Sequence, residues 1–180
     1  ILKQKSIKID KRFVEDSKNI IKTFGLSLVV AKGEADELCC QMVNTGKVSA
    51  CITEDMDLFP LGCKKVMRHF NLKQSNVLVY NYDSILEELN LTKEQFKSLC
   101  ILSGTDFNKN KKTIYQYYNL LLDYKYYNIV YMTFYEWLVE IKNIDININR
   151  LLEIEKIYDT NHTNSKYVLI KNKPYSRHNV

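Results

Sequence analysis

Apolar positions recur in three rhythms along this chain. Between residues 11 and 24, Phe13, Val14, Ile20, Ile21 and Phe24 fall at near-helical spacing in a Lys-rich stretch, and Gly25 supplies a stop, so the pattern predicts a helix over 11–24. Leu26 to Ala31 then runs almost wholly apolar, as expected of a short strand buried on both faces of a parallel sheet. Lys32-Gly33 turns the chain into a helix over 34–44, which Thr45-Gly46 ends. A second apolar strand follows over 48–53, a short helical turn over 57–61, and a third strand over 65–70. Strand, helix and strand in so short a span read as a βαβ unit with a right-handed crossover.

Further along, 77–82 adds a strand, and 83–89 and 92–103 read as helices, the second opened by a capping box of Thr92 with Gln95. Past Asp106 the character changes. Residues 108–135 are crowded with Tyr, Asn and Lys, and Ile114, Tyr118, Leu121 and Leu122 predict helices there. Ile144, Ile146 and Ile148 alternate and fit a strand, and 159–166 reads as a loop. The expected organisation is therefore an α/β core over 1–105, with a mostly parallel sheet flanked by helices, followed by a helical extension over 106–180.

Composition narrows the class. A chain of 180 residues fits one domain able to bury about two-thirds of its unfolded surface. Its 26 basic and 21 acidic residues leave +5, mildly favourable to a polyanion. The five cysteines, Cys39, Cys40, Cys51, Cys63 and Cys100, are odd in number and show no zinc spacing, so they read as reduced core residues of an intracellular protein. No apolar run reaches the roughly 18 residues of a membrane span. The opening Ile1-Leu2-Lys3-Gln4-Lys5 is not a signal peptide, and without a Met it reads as a start downstream of the true N-terminus.

Two acidic clusters, Glu34-Ala35-Asp36 and Asp55-Met56-Asp57, each follow a predicted strand. In open parallel sheets functional groups gather at the carboxyl ends of strands. Asp55 and Asp57, two apart in an extended stretch, can face one site, and Asp106 closes the helix that ends Leu102-Ser103-Gly104. Taken singly, Glu34 and Asp36 are equally helix-start acids and Asp106 a cap. Taken together they point to metal. Two like charges 4 Å apart repel by about 4 kcal/mol at an effective dielectric of 20, so gathered carboxylates require cations or protons. Mg²⁺ suits an all-oxygen set and keeps waters able to attack phosphate. The three histidines are scattered, and His69 beside Arg68 reads as a surface or packing residue.

Four segments, Ala31-Lys-Gly-Glu-Ala-Asp-Glu-Leu38, Thr53-Glu-Asp-Met-Asp57, Gly62-Cys-Lys-Lys-Val-Met-Arg-His69 and Leu99-Cys-Ile-Leu-Ser-Gly-Thr-Asp106, resemble in order and spacing the flap endonuclease and xeroderma-pigmentosum-G superfamily of structure-specific 5′ nucleases. The resemblance covers roughly residues 10–125 and implies a PIN-like α/β nuclease core followed by a helical DNA-binding extension. It further implies that Glu34, Asp36, Asp55, Asp57 and Asp106 are ligands of two Mg²⁺ ions, replaceable by Mn²⁺, which stabilise the attacking and leaving oxygens of an in-line phosphodiester displacement. The implied substrates are branched or flapped DNA and RNA-containing 5′ ends, recognised by shape and phosphates. The implied setting is replication or repair by a monomer, in the nucleus of a eukaryote or the replication compartment of a virus, with no membrane association.

The chain also departs from that family. Two further metal-ligand aspartates of the family precede anything in this sequence, so the expected site is incomplete here. Where the family carries a Gly-x-Gly hairpin that grips duplex phosphates, this chain has Thr113-Ile114-Tyr115, leaving Lys109, Lys111, Lys112 and Arg68 as the candidate phosphate contacts. No sliding-clamp motif is recognisable. Met67-Arg68-His69 resembles the flap endonuclease branch, whereas Gly62 to Val66 and Cys100 to Gly104 resemble the 5′ exonuclease branch. A non-catalytic junction-DNA-binding or assembly module and a PIN-type ribonuclease are the alternative functions.

Overall fold

The computed structural model describes residues 9–109 and 112–159, and the backbone of 167–170. Among these residues the chain forms α1 (Lys11–Thr23), β1 (Leu28–Ala31), α2 (Ala35–Asn44), β2 (Cys51–Ile52), β3 (Lys65–Asn71), β4 (Asn76–Asn81), α3 (Tyr82–Leu89), α4 (Lys93–Ser103), α5 (Ile114–Tyr126), α6 (Phe134–Glu140), α7 (Ile148–Ile157) and β5 (Tyr167–Ile170). Lys111 and residues 160–166, most of the expected loop, lie outside the described residues. No described helix is long and apolar enough to cross a membrane.

The chain divides into two compact units, one of residues 1–35 with 165–180 and one of 36–164. In the first, Asp10 caps α1 by accepting the Phe13 N–H at 2.8 Å, and the helix gives way to Gly25 at φ +71°, a conformation glycine adopts at no steric cost. The helix has the expected periodicity yet buries none of its residues. β1 pairs antiparallel with β5, Leu28 opposite Ile170 and Ala31 opposite Tyr167.

The second unit holds a three-stranded sheet in the order β2-β3-β4. β2 runs parallel to β3, and β3 antiparallel to β4. The sheet pairings are therefore mixed, and the expectation of a mostly parallel sheet is corrected: one of the three strand pairs among the described residues is parallel. Of the strands expected in a βαβ unit across residues 26–53, β1 ladders with β5 and β2 with β3 among the described residues. β2 is also far shorter than the apolar run 48–53. The N–H groups of Lys47 and Val48 both return to the Met42 carbonyl, at 2.9 and 3.2 Å, which holds the start of that run against the end of α2 and away from a ladder.

The parallel pair β2 and β3 is joined through residues 53–64, close to the minimum of about a dozen residues that a parallel connection needs. That connection carries Asp55 and Asp57. Its second half is apolar and anchors it: Leu58 is fully buried, and Phe59 and Leu61 nearly so.

Helices α4 to α7 build most of the core. Trp137, Tyr117, Leu99, Ile101, Leu102, Leu121, Leu138 and Ile154 are all buried, and Leu58, Val66, Cys40 and Cys63 join them from the sheet side. The capping box expected at Thr92 and Gln95 forms, and the same motif recurs at Thr113 with Gln116 and Thr133 with Glu136. The alternating Ile144, Ile146 and Ile148 do not make a strand. Ile144 donates its N–H to the Leu138 carbonyl at 2.9 Å, and the three side chains pack on the core along an irregular segment that enters α7. Their alternation records one-sided burial without a ladder.

Candidate functional site

Residues 53–57 fold into a hydrogen-bonded turn at the carboxyl end of β2. Thr53 Oγ1 accepts the Asp55 N–H at 3.0 Å, and Asp55 Oδ1 accepts the Asp57 N–H at 2.9 Å. Short polar side chains that bond the backbone two residues on are a standard way to fix a turn. Glu54, between them, points to β3: its Oε1 accepts the His69 N–H at 2.6 Å, and its backbone carbonyl accepts from Arg68 Nη2 at 2.9 Å. His69 adopts φ +54° beside a register shift in β3, which turns that N–H out of the ladder toward Glu54. The acidic turn is thus tied to the sheet.

Arg68 is committed to this tie. Its guanidinium also meets the Glu54 carboxylate at 3.4 Å and the Met56 sulfur, and its side chain is only 16% exposed. The expectation that Arg68 lies open to phosphate is corrected accordingly. Of the candidate lysines, Lys109 is exposed and Lys112 half-buried.

Asp57 is the most constrained acid. The Tyr158 hydroxyl, at the C-terminal cap of α7, donates to Asp57 Oδ2 at 2.7 Å, and the Asp106 backbone N–H also favours the ionised carboxylate. Burial nonetheless raises the Asp57 pKa above its ordinary value, aided by the negative charges of Asp55 and Asp106. Tyr158 is raised in turn, first by burial and then by its bond to the carboxylate, and Phe107 packs edge-on against its ring at 6.0 Å. Cys100 beneath them is pushed up to about 12 by burial and by the Asp57 charge. A cleft of about 210 Å³ opens here, between Met56, Asp57 and Pro60 on one side and Cys100, Gly104 and Thr105 on the other.

The fold brings together Asp55, Asp57 and Asp106, three of the five acids singled out in the sequence. Asp36, half-buried near the start of α2, exerts its charge on Cys39 and Cys51. Glu34 is exposed and lies in the first unit. Among the described residues no three Asp, Glu, His or Cys side chains approach closely enough to chelate one ion. The donor chemistry still fits a hard divalent cation, because the charges of Asp55 and Asp106 disfavour ionisation of Asp57 and positive charge relieves that.

Two residues of this arrangement escaped the sequence. Tyr158 is 101 positions from Asp57 and sits in no motif. Glu54 lies inside the acidic segment, and its position between β2 and the two aspartates was the available signal. At Thr113-Ile114-Tyr115, the expected place of a glycine hairpin, the chain starts α5 with a capping box.

Such an α/β core with acids at a strand end and a helical block behind it has clear counterparts. Flap endonuclease-1 from Methanococcus jannaschii superposes with a TM-score of 0.68 at 18% identity, over 89% of this chain and 47% of that one. The catalytic core of Rad2 in complex with DNA substrate gives 0.70 at 18% identity, over 93% and 62%. These likenesses define a PIN-like nuclease-type fold. Residues 25–106 match the XPG I-region family model. Flap endonuclease 1-B of Oryza sativa subsp. indica is 37% identical over 114 residues, which are 62% of this chain and 28% of the relative. Flap endonuclease 1-1 of Paramecium tetraurelia is 28% identical over 166 residues, 92% of this chain and 39% of the relative. Over these segments the chain is similar to flap endonucleases and to the XPG I-region, and it spans between about a quarter and two-fifths of the length of the curated relatives it matches.

Proposed function

We propose that the protein carrying this chain is a structure-specific 5′ nuclease that hydrolyses phosphodiester bonds of flapped or branched DNA in replication or repair. The observation that carries the proposal is that Asp57 lines a cleft and feels the charges of Asp55 and Asp106, all three inside the segment that matches the XPG I-region. The names of the relatives and the DNA complexes of the Rad2 core support the substrate class.

In this reading Glu34, Asp36, Asp55, Asp57 and Asp106 contribute to holding two Mg²⁺ ions, with Mn²⁺ as a substitute and with further ligands from outside residues 1–180. The ions supply stabilisation of charge on the attacking and leaving oxygens. The chain's own residues set the geometry. Tyr158 fixes the Asp57 carboxylate, and the Glu54 tie to β3 holds the turn that presents Asp55. Burial, aided by the charges of Asp55 and Asp106, raises the Asp57 pKa, and a bound cation would lower it, so metal binding and ionisation of Asp57 reinforce each other. Lys109, Lys111 and Lys112 lie near in sequence to Asp106 and supply positive charge for the DNA backbone.

The test uses the full-length protein and a labelled 5′-flap duplex. Divalent-dependent cleavage is expected, reduced by more than about 100-fold in Asp55→Ala and in Asp57→Ala, with flap binding retained. Undiminished cutting by both variants would remove the site assignment. Binding of junction DNA without cutting at millimolar Mg²⁺ or Mn²⁺ would indicate a non-catalytic module, and preference for unstructured RNA a PIN-type ribonuclease.

A further inference from the structure

Helix α7 reaches the acidic turn through Tyr158 at its C-terminal cap. Its apolar contacts come from Leu151, Ile154 and Tyr158, three buried positions at helical spacing. Packing of this kind is non-directional and leaves a helix free to roll by a fraction of a turn. The bond from the Tyr158 hydroxyl to Asp57 Oδ2 at 2.7 Å tolerates little roll, because hydrogen bonds weaken steeply as they leave alignment.

A set of polar contacts removes that freedom. One turn before Tyr158, Glu155 Oε1 accepts two hydrogen bonds, from Ser98 Oγ of α4 at 2.8 Å and from the Tyr135 hydroxyl of α6 at 2.6 Å. Three helices thus meet on a single carboxylate oxygen. Hydrogen bonds to a carboxylate are roughly twice as strong as those between neutral groups. Burial first, and then the bond to Glu155, raise the Tyr135 pKa above its ordinary 10, so the phenol stays a donor near neutrality. One residue beyond Tyr158, Asp159 pairs with Lys97, the neighbour of Ser98 on α4, whose side chain is only 16% exposed. The two clasps bracket Tyr158, and both lead to α4.

We propose that Glu155 is a positioning residue for the acidic site: held by Ser98 and Tyr135, it sets the roll of α7 that places the Tyr158 hydroxyl on Asp57.

The effect on Asp57 passes through the helix. Glu155 and Tyr158 are three positions apart, so they are neighbours on the surface of α7 and turn together when it rolls. Removal of the Glu155 carboxylate leaves Leu151 and Ile154 packed and keeps α7 on the core, but it frees the turn that leads to Tyr158. It also deprives the buried Tyr135 hydroxyl of its acceptor, so the α6 contact turns from a restraint into a cost. That Asp57 serves a divalent-metal site rests on the function proposed above; the aim of Tyr158 at Asp57 does not.

The experiment is a double-mutant cycle between Glu155→Ala and Tyr158→Phe in the full-length protein. Two quantities are read: the carbon NMR resonance of the Asp57 carboxyl at neutral pH without metal, and Mg²⁺ affinity by calorimetric titration. In Glu155→Ala the Asp57 resonance is expected to move toward its position in Tyr158→Phe, and Mg²⁺ affinity to fall by about tenfold. With Tyr158 already replaced, Glu155→Ala should leave the resonance in place and the affinity within about twofold. A folded Glu155→Ala protein that melts lower with its Asp57 resonance unmoved overturns the proposal, since Glu155 is then a structural tie alone. Additive changes in the double variant overturn it too, because Glu155 then acts by a route other than Tyr158. A parent protein that binds no Mg²⁺ removes the metal reading and leaves the resonance to decide this one. Should Glu155→Ala fail to fold, Ser98→Ala removes one of the two donors and is read in the same way: a smaller shift of the Asp57 resonance in the same direction supports the proposal, and an unmoved resonance overturns it.

Discussion

The connection 53–64 and the helical block α4 to α7 handle their side chains in opposite ways. In the block, apolar helix faces meet one another, and Leu102 and Leu138 are fully buried with Trp137 at 1% exposed. The connection is split. Leu58 to Leu61 sink into the same core, whereas Thr53 to Asp57 are held by directed hydrogen bonds to neighbouring backbone, to β3 and to Tyr158. Packing therefore gives the block its stability, and hydrogen bonds give the acidic turn its shape. Carboxylates that repel one another are kept in place by a rigid frame, and part of that frame is the helical block itself.

Replacing Trp137 by Ala attacks the block. Its indole packs against Tyr124 and Phe134 at ring separations of 5.6 and 6.2 Å and lies under the Lys142 ammonium, so we expect a loss of about 3–5 kcal/mol in denaturant unfolding. Unchanged stability would mean that the block is not the source of the second unit's cohesion. Replacing Tyr158 by Phe cuts the link between the two regions while keeping the ring on Phe107. Divalent affinity, measured by calorimetric titration of the full-length protein, should fall by about 10–100-fold with only a small change in melting temperature. A comparable loss of stability with intact metal affinity would make the bond a purely structural one.

Asp57→Asn tests the electrostatic cost, the smallest effect of the three. Since the folded pKa of Asp57 lies above its ordinary 3.8, the native state holds this proton more tightly than the unfolded chain does. The stability it contributes is fully present below pH 3.8 and is lost as pH rises through the folded value, so ionised Asp57 is a net cost near neutrality. The variant should melt slightly higher than the parent at pH 7 without metal, and the difference should vanish below pH 3.8, with solvent screening keeping it small. A lower melting temperature at pH 7 would show that the Tyr158 hydrogen bond outweighs burial and repulsion.

Most helices were legible because their punctuation is local. Asp10 and Gly25 bracket α1, and Thr92 with Gln95 opens α4. The same logic, applied at Thr113 and Thr133, would have placed α5 and α6 more closely. Strand partners were not legible. The apolar run ending at Ala31 does not say that β5, some 140 residues on, is its neighbour, nor does the run 48–53 say that Met42 will claim its first amides. For the acids, residue type and order singled out Glu34, Asp36, Asp55, Asp57 and Asp106 as a group of five, of which Asp55 and Asp106 act on Asp57 in the fold, and the supports of these acids depend on tertiary contacts. Arg68 looked like an open cation because its sequence gives no hint that β3 bends it onto Glu54.

The bond from Tyr158 to Asp57 joins positions 101 residues apart, and this separation has a consequence for protein synthesis. At roughly 5–20 residues per second, a ribosome needs on the order of 5–20 s to move from the codon for Asp57 to that for Tyr158. Throughout that interval the acidic turn is in the growing chain without its tyrosine. The carboxylates of a nascent chain are thus left without their last restraint until nearly the whole second unit has been made, so a ribosome-tethered fragment that ends before α7 would present these acids in a looser arrangement than the finished protein does.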